Sequence, residues 1–221
     1  MFDWLKRKKQ PEVMPAEEPA TALGWDALEA AFAPLYPGSR PLHWKHDGVM
    51  RMHDLRNPPE NPFDGVNIYD AGSFWHYVSL GMSELYGKDG EGEWSGFGYE
   101  FTFRLHKSAD EASPPLWPIN VMGSLARAAF TGSEFCAGDT VQIGPIDGRP
   151  ETRLTALLIA PDPGFPQVLS TPNGKLELLL LLGVENELRE RARALGTEEV
   201  LRELRVQNAE LVTRLDPQLA R

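Results

Sequence analysis

From Phe97 to Leu105 the chain reads FGYEFTFRL. Phe97, Tyr99, Phe101, Phe103 and Leu105 take every second position, with Gly98, Glu100, Thr102 and Arg104 between them. A period of two is the repeat of a β-strand, whose successive side chains point to opposite faces. A row of aromatic groups suits a pleated surface with one side buried. The spacing therefore predicts a half-buried strand. Its polar face would carry Glu100 and Arg104, same in parity and four residues apart, as a salt-bridged pair. A second run, Phe74 to Leu80 (FWHYVSL), is denser in apolar groups and predicts a more central strand. Between the two lie Gly81 to Gly87 (GMSELYG) and the acidic segment Asp89 to Glu93. Loops held by rigid strands are where binding groups usually sit.

The rest of the chain follows from the same reading. Trp25, Leu28, Ala31, Phe32 and Leu35 recur at helical spacing, so Gly24 to Leu35 is predicted helical, stopped by Pro37-Gly38. Gly48 to Leu55 and Val66 to Tyr69 read as strands. Pro114 to Pro118 opens a helix whose apolar stripe is Ile119, Met122, Leu125, Ala126 and Ala129, with Gly132 as its stop. Thr140 to Ile143 and Leu154 to Ala160 are predicted strands. Val168 to Ser170 and Lys175 to Leu182 flank Thr171-Pro172-Asn173-Gly174, where Asn-Gly marks a hairpin because both residues tolerate positive φ. Glu185 to Leu195 and Thr197 to Val206 are predicted helices, Thr197 giving a weak cap signal. Leu211 to Leu215 reads as a closing strand. Strands fill the middle without regular β-helix-β alternation. The expected class is α+β, a single domain with a central mostly antiparallel or mixed β-sheet flanked by helices. It should span residues 23–219, after a basic tail and a Pro/Glu-rich linker over residues 1–22.

At 221 residues the chain can bury a sizeable core without disulfides or metals. Its net charge of −10 argues against a nucleic-acid partner and for a basic protein or peptide. With Cys136 as the single cysteine no intrachain disulfide can form, which fits a cytoplasmic, reducing compartment. No apolar run reaches the roughly 18 residues a membrane span requires. In the first ten residues the basic cluster Lys6 to Lys9 follows the apolar Phe2, Trp4 and Leu5, the reverse of a secretory signal, and stable membrane insertion is not expected.

Catalytic constellations are weak. Ser95 lacks the Gly two residues before it that a nucleophile elbow needs. Gly96-Phe97-Gly98 lacks the third Gly of a dinucleotide fingerprint and lies inside a strand. His43, His46 and His53, with Asp47 and Asp54, invite a metal reading, but alternating faces need not converge, and neither metal nor cofactor is expected. Cys136 reads as a small buried hydrophobe rather than a nucleophile. Glu84 should anchor its own loop. Glu84 or Glu100 with a neighbouring His76 is the alternative, a hydrolase using a Glu/His pair. Trp75, Tyr77, Tyr86, Trp94, Phe97 and Tyr99 are either core or, for a surface subset, a binding platform. Tyr86 is the preferred surface candidate, since Gly87 and then Asp89, Glu91 and Glu93 follow it. A tyrosine beside an acidic loop suits a peptide bearing basic groups.

His76 to Tyr86 (HYVSLGMSELY) and Ser95 to Leu105 (SGFGYEFTFRL) also resemble two runs of the suppressor-of-fused family. Pro114 to Pro118, Leu125 to Arg127, Gly138-Asp139, Asp162-Pro163, Thr171 to Gly174 and Gly183-Val184 continue the likeness in the family's order. The resemblance implies a non-enzymatic protein-binding domain with that family's fold. Animal members clamp an extended segment of a transcription factor between two domains. This chain resembles their N-terminal half, so half of that clamp is expected to be missing and their signalling role does not carry over. In the family the Tyr of the "SxLY" run lies at the peptide site, which implies Tyr86. An acidic residue of the following loop takes part, leaving Asp89, Glu91 and Glu93 as candidates. Stand-alone domains of this kind resemble bacterial proteins, some of which act as immunity proteins that neutralise a cognate toxin.

Overall fold

The computed structural model describes residues 22–45 and 64–215. In chain order the elements are α1 (Leu23–Phe32), β1 (Leu42–Lys45), β2 (Gly65–Asp70), β3 (Phe74–Leu80), β4 (Trp94–His106), α2 (Trp117–Phe130), β5 (Thr140–Gln142), β6 (Leu154–Pro161), β7 (Leu169–Thr171), β8 (Gly174–Glu185), α3 (Asn186–Leu195) and α4 (Thr197–Gln207). The strands form one sheet in the order β1-β2-β3-β4-β8-β6-β5, with β7 also paired to β8. β4 and β8 run parallel and every other pairing is antiparallel. The sheet is thus mixed and mostly antiparallel, the α+β arrangement expected.

The alternation in β4 decides how the layers stack. Tyr99, Phe101, Phe103 and Leu105 join Trp75, Tyr77, Leu157, Ile159, Leu179 and Leu181 under the apolar stripe of α2. On the opposite face, Leu28 and Phe32 of α1 pack on Tyr69, Val78, Leu80 and Leu178. Ala192, Val200 and Leu201 of α3 and α4 cover Ala156, Leu158, Leu180, Leu182 and Val184. Each of the larger aliphatic and aromatic side chains among them contributes about 1.5–3 kcal/mol on full burial. β3, β4 and β8 are therefore covered on both sides, as their apolar density requires.

Several expectations are corrected. Phe97 is 40% exposed rather than in the buried row. Gly96 and Gly98, at φ +56° and +81°, bend the strand there, and its register with β8 shifts between Trp94 and Tyr99. The polar face of β4 is not solvated, since Glu100, Thr102 and Arg104 are all buried. Leu211 to Leu215 forms no strand: a single parallel bridge joins Thr213 to Leu105, and the Thr213 N–H donates to the Arg104 carbonyl at 2.7 Å. Thr197 caps nothing, its hydroxyl donating instead to the Gly138 carbonyl. In the β7–β8 hairpin only Gly174 takes positive φ. The first helix ends at Phe32, short of Leu35. The expected strand Gly48 to Leu55, with His46, Asp47, His53 and Asp54, lies outside the described residues. No group of three or more metal-ligating side chains gathers among the described residues.

Candidate functional site: a braced loop

The loop from Gly81 to Tyr86 leaves β3 and is held from beneath by one residue of β4. The N–H groups of Gly81 and Ser83 donate to Glu100 Oε1 at 3.0 and 2.9 Å, and the Ser83 hydroxyl donates to the same atom at 2.7 Å. The Ser79 hydroxyl donates to Oε2 and accepts the Phe101 N–H at 2.8 Å. A fully buried carboxylate needs such donors, because taking a charge out of water is costly unless it is hydrogen-bonded. Burial still dominates and pushes the Glu100 carboxyl up to about 7 against those donors.

Other elements grip the same loop. The Phe97 N–H donates to the Met82 carbonyl at 2.9 Å, the Ser95 hydroxyl accepts the Glu84 N–H at 2.9 Å, and Asn173 Nδ2 donates to the Glu84 carbonyl at 2.8 Å. The N–H of Gly24, at the start of α1, donates to the Leu85 carbonyl at 2.9 Å. Glycines allow this closeness: a Cβ on Gly96 would stand 2.6 Å from the Met82 oxygen, and one on Gly24 only 2.2 Å from the Glu84 oxygen.

Tyr86 stands at the end of this fixed stretch, 54% exposed. Its hydroxyl bonds to the Asp64 carboxylate, and burial followed by the Asp64 charge raises its pKa. Asp89 N–H donates to Glu84 Oε1 at 2.8 Å, so Glu84 anchors its loop as expected. Of the predicted acids, Glu93 pairs with Lys175 at 2.5 Å, whereas Asp89 and Glu91 are exposed and form no ion pair among the described residues. Trp94 and Phe97 are exposed nearby in the sequence, and Phe97 rests on Phe130 with ring centroids 4.8 Å apart. Trp75, Tyr77 and Tyr99 are core. The aromatic set thus divides into a buried group and an exposed one.

A second polar cluster lies between β3, β4 and the β6–β7 loop. Tyr36 lies 2.7 Å from His76 Nδ1, and His76 Nε2 lies 3.0 Å from Asp162 Oδ2. Thr102 donates to that oxygen at 2.7 Å, and Arg104 Nη2 donates to Asp162 Oδ1 at 2.5 Å. Burial lowers the His76 pKa and keeps the ring neutral, so Tyr36 donates to Nδ1 and Nε2–H donates to Asp162. The His76 and Arg104 partners hold the Asp162 carboxyl below the usual carboxylate range, against its burial. Arg104 therefore pairs with Asp162 and Glu210, not with Glu100. Glu100 and His76, both buried, are bound into different networks, and Glu84 is committed to its loop. The Glu/His pair of the hydrolase reading is not brought together at an open site.

Cys136 is exposed, not buried. Partial desolvation, then Asp139 beside it, raises its thiol pKa, the opposite of an activated nucleophile. The braces Gly24, Ser95, Asn173 and Glu100 escape sequence reading as loop supports. The one available signal was an acid in the middle of an aromatic strand, which must find donors once buried.

These features define a three-layer α+β domain that presents one braced, aromatic and acidic loop at an end of its sheet. The chain belongs to the suppressor of fused family: the family described as Suppressor of fused protein (SUFU) matches residues 59–216. Human Suppressor of fused homolog is 38% identical over 143 residues, covering 58% of this chain and 29% of that protein. The mouse homolog matches to the same extent. The chain thus spans less than a third of the curated relatives' length. Among solved structures, one chain of the Sufu–Fu complex superposes with TM-score 0.76 at 28% identity, covering 88% of this chain and 91% of that one. Drosophila Suppressor of Fused gives 0.75 at 27% identity, covering 92% of this chain and 53% of that one. A SUFU homolog from Neisseria gonorrhoeae shares the fold at TM-score 0.56 and 15% identity, covering 86% and 92%.

Proposed function

We propose that this chain is a non-enzymatic protein-binding module that offers Tyr86, with Asp89, Glu91 and Glu93, to a basic segment of a partner protein. The observation that carries this reading is an exposed tyrosine at the end of a loop held by Glu100, Ser95, Asn173 and the start of α1. Such preorganisation lowers the ordering cost of binding, and tyrosine is among the residues that dominate interface energetics. The free carboxylates of Asp89 and Glu91 complement a basic partner and steer its approach. The relative solved as the Sufu–Fu complex supports a protein partner, as do Glu100 and His76, which are shut away from any substrate. An extended segment pairing with an outer strand would add main-chain hydrogen bonds. Among the described residues the outermost strands are β1 and β5.

The sharper form of the proposal is an immunity protein that neutralises a cognate toxin in the cytoplasm. Its exposed single thiol fits a reducing compartment. Among the described residues no helix is long and apolar enough to cross a membrane.

The test is capture from the native host with tagged wild type, Tyr86→Ala and the double variant Asp89→Asn/Glu91→Gln, all shown to melt alike. A stoichiometric protein retained by the wild type and lost from Tyr86→Ala is expected. Equal retention by all three would place the interface elsewhere. If the captured protein arrests growth when expressed alone and this chain relieves the arrest, the immunity role follows.

A further inference from the structure

β4 ends, away from Tyr86, beneath a cleft of about 730 Å3 lined by Tyr36, Ser39, Phe74, Arg104, Gly164 and Glu210 among others. That volume lies within the 300–1,000 Å3 typical of small-ligand sites. Arg104, only 1% exposed, contributes the cleft's buried cation. Its Nη2 is taken by Asp162, and its Nη1 by the carboxylate and the backbone carbonyl of Glu210. Its buried Nε has no partner among the described residues. A buried guanidinium with an idle donor is an unusual leftover, because such groups are nearly always satisfied.

Two further features bear on the same place. Gly164 does not sit at positive φ, so its conformation does not require glycine. A Cβ there would stand 2.8 Å from Arg104 Nη2 and 3.0 Å from Leu35, so the glycine lets this backbone pack close against the guanidinium. Glu210 is 59% exposed although its acid end reaches buried Arg104. The residue after it, Leu211, is the one non-glycine at positive φ (+49°) among the described residues. Backbone strain of this kind collects at ligand clamps and switches.

We propose that this cleft is a carboxylate-binding site, and that Glu210 is an internal occupant which a ligand's carboxylate displaces from Arg104. The Glu210 contact is itself the demonstration that a carboxylate fits the guanidinium, whose planar fork matches that group. The exchange is neutral in charge at the site: one carboxylate enters as another swings into water. The chain's net negative charge therefore does not forbid it. The incoming carboxylate takes over the Nη1 donor that Glu210 holds. The ligand is a small molecule or a short peptide end bearing a free carboxylate, sized to the cleft. This site is separate from the Tyr86 loop, at the opposite end of β4, and does not depend on the binding role proposed there.

The experiment is a titration of the full chain at constant ionic strength with succinate, with N-acetyl-trialanine and with the C-terminal amide of that peptide. The Arg104 Nε–H resonance is followed by NMR. Removing an occupant raises the competent fraction and hence the apparent affinity. Glu210→Ala should bind a carboxylate probe about tenfold or more tightly than wild type, the Nε–H signal should move, and the amide should be inert. Tighter binding of succinate would identify a small acid as the source, and tighter binding of the peptide a chain terminus. Equal affinity in wild type and Glu210→Ala, a response to the amide, or no response in either protein would each overturn the proposal. Glu210→Gln, which keeps the shape and removes the charge, must show the same gain and stands in if Glu210→Ala is unstable.

Discussion

Ser83 gives both its backbone N–H and its hydroxyl to one carboxylate oxygen of Glu100, at 2.9 and 2.7 Å. The loop that ends in Tyr86 is therefore tied to a strand residue seventeen positions away in sequence, by a carboxylate with no access to water. The strength of that tie depends on the state of the carboxyl group.

The Glu100 carboxyl is raised from 4.5 to about 7, so between these values the folded chain keeps a proton that the unfolded chain has released. Its contribution to stability is then fullest below pH 4.5 and is lost as the pH rises to about 7. At about 1.4 kcal/mol per unit the loss comes to about 3 kcal/mol. Glu100→Gln does not titrate. Urea unfolding of both proteins should show the variant gaining on the wild type by about 3 kcal/mol between pH 4.5 and about pH 8. A stability difference that is constant across that range would show that this group does not titrate there.

Gly24→Ala sets two effects against each other. Alanine in a helix is favoured over glycine by about 1 kcal/mol. The new Cβ would meet the Glu84 carbonyl at 2.2 Å, a backbone atom that Asn173 also holds. Overpacking of this kind costs about 1–3 kcal/mol, or more where backbone must move, so the clash wins. The variant should melt lower than wild type and show shifted amide resonances over residues 82–86. A raised melting temperature would mean that α1 and the loop are not pressed together.

Asp162→Asn removes the charge that faces Arg104 and puts an NH2 donor in place of one of the two oxygens that accept from Arg104, His76 and Thr102. Breaking one partner of a buried pair costs about 3–5 kcal/mol, and denaturant titration at neutral pH should find a loss of that size. The wild-type carboxyl sits below its ordinary 3.8, so its contribution is present above that value and lost as the pH falls beneath it. The gap between wild type and variant should therefore narrow in acid. A gap that held constant down to about pH 2 would contradict the assigned network.

Cys136 offers a chemical check on the loop before β5. The thiol is exposed but its pKa lies above the ordinary 9.0, through partial desolvation and then Asp139. Since the thiolate is the reacting species, iodoacetamide should label it completely in the native protein, yet more slowly than free cysteine at the same pH. Asp139→Asn should speed the reaction. Labelling that required denaturation would show the thiol to be covered.

Much of the architecture is legible in local pattern. The period-two row from Tyr99 to Leu105, the stripe through Ile119, Met122 and Leu125, and the turn at Asn173-Gly174 each mark their element, because backbone direction and side-chain facing are set within a few residues. The same pattern misplaces Phe97, since two positive-φ glycines beside it turn the strand in response to a loop that packs against them. The placement of Tyr86 on an exposed loop end follows its composition and the Gly87 after it. The network beneath it does not. Glu100 and Arg104 share a parity, which makes them look like partners. In the fold each instead meets groups brought from elsewhere, Ser83 for one and Asp162 and Glu210 for the other.

The sequence by itself determined most of the strands and helices and which side of each is apolar, because those follow from short-range geometry and the tendency of apolar groups to leave water; it missed β1 and wrongly made a strand of Leu211 to Leu215. Only the tertiary structure decided what lies over the polar side of β4. Covering that face with α1, the β6–β7 loop and the turn at Glu210 turns two ordinary surface charges into buried ones. A buried charge must be met by whatever donors and acceptors the fold brings within about 3 Å, and spacing along the chain does not encode that meeting.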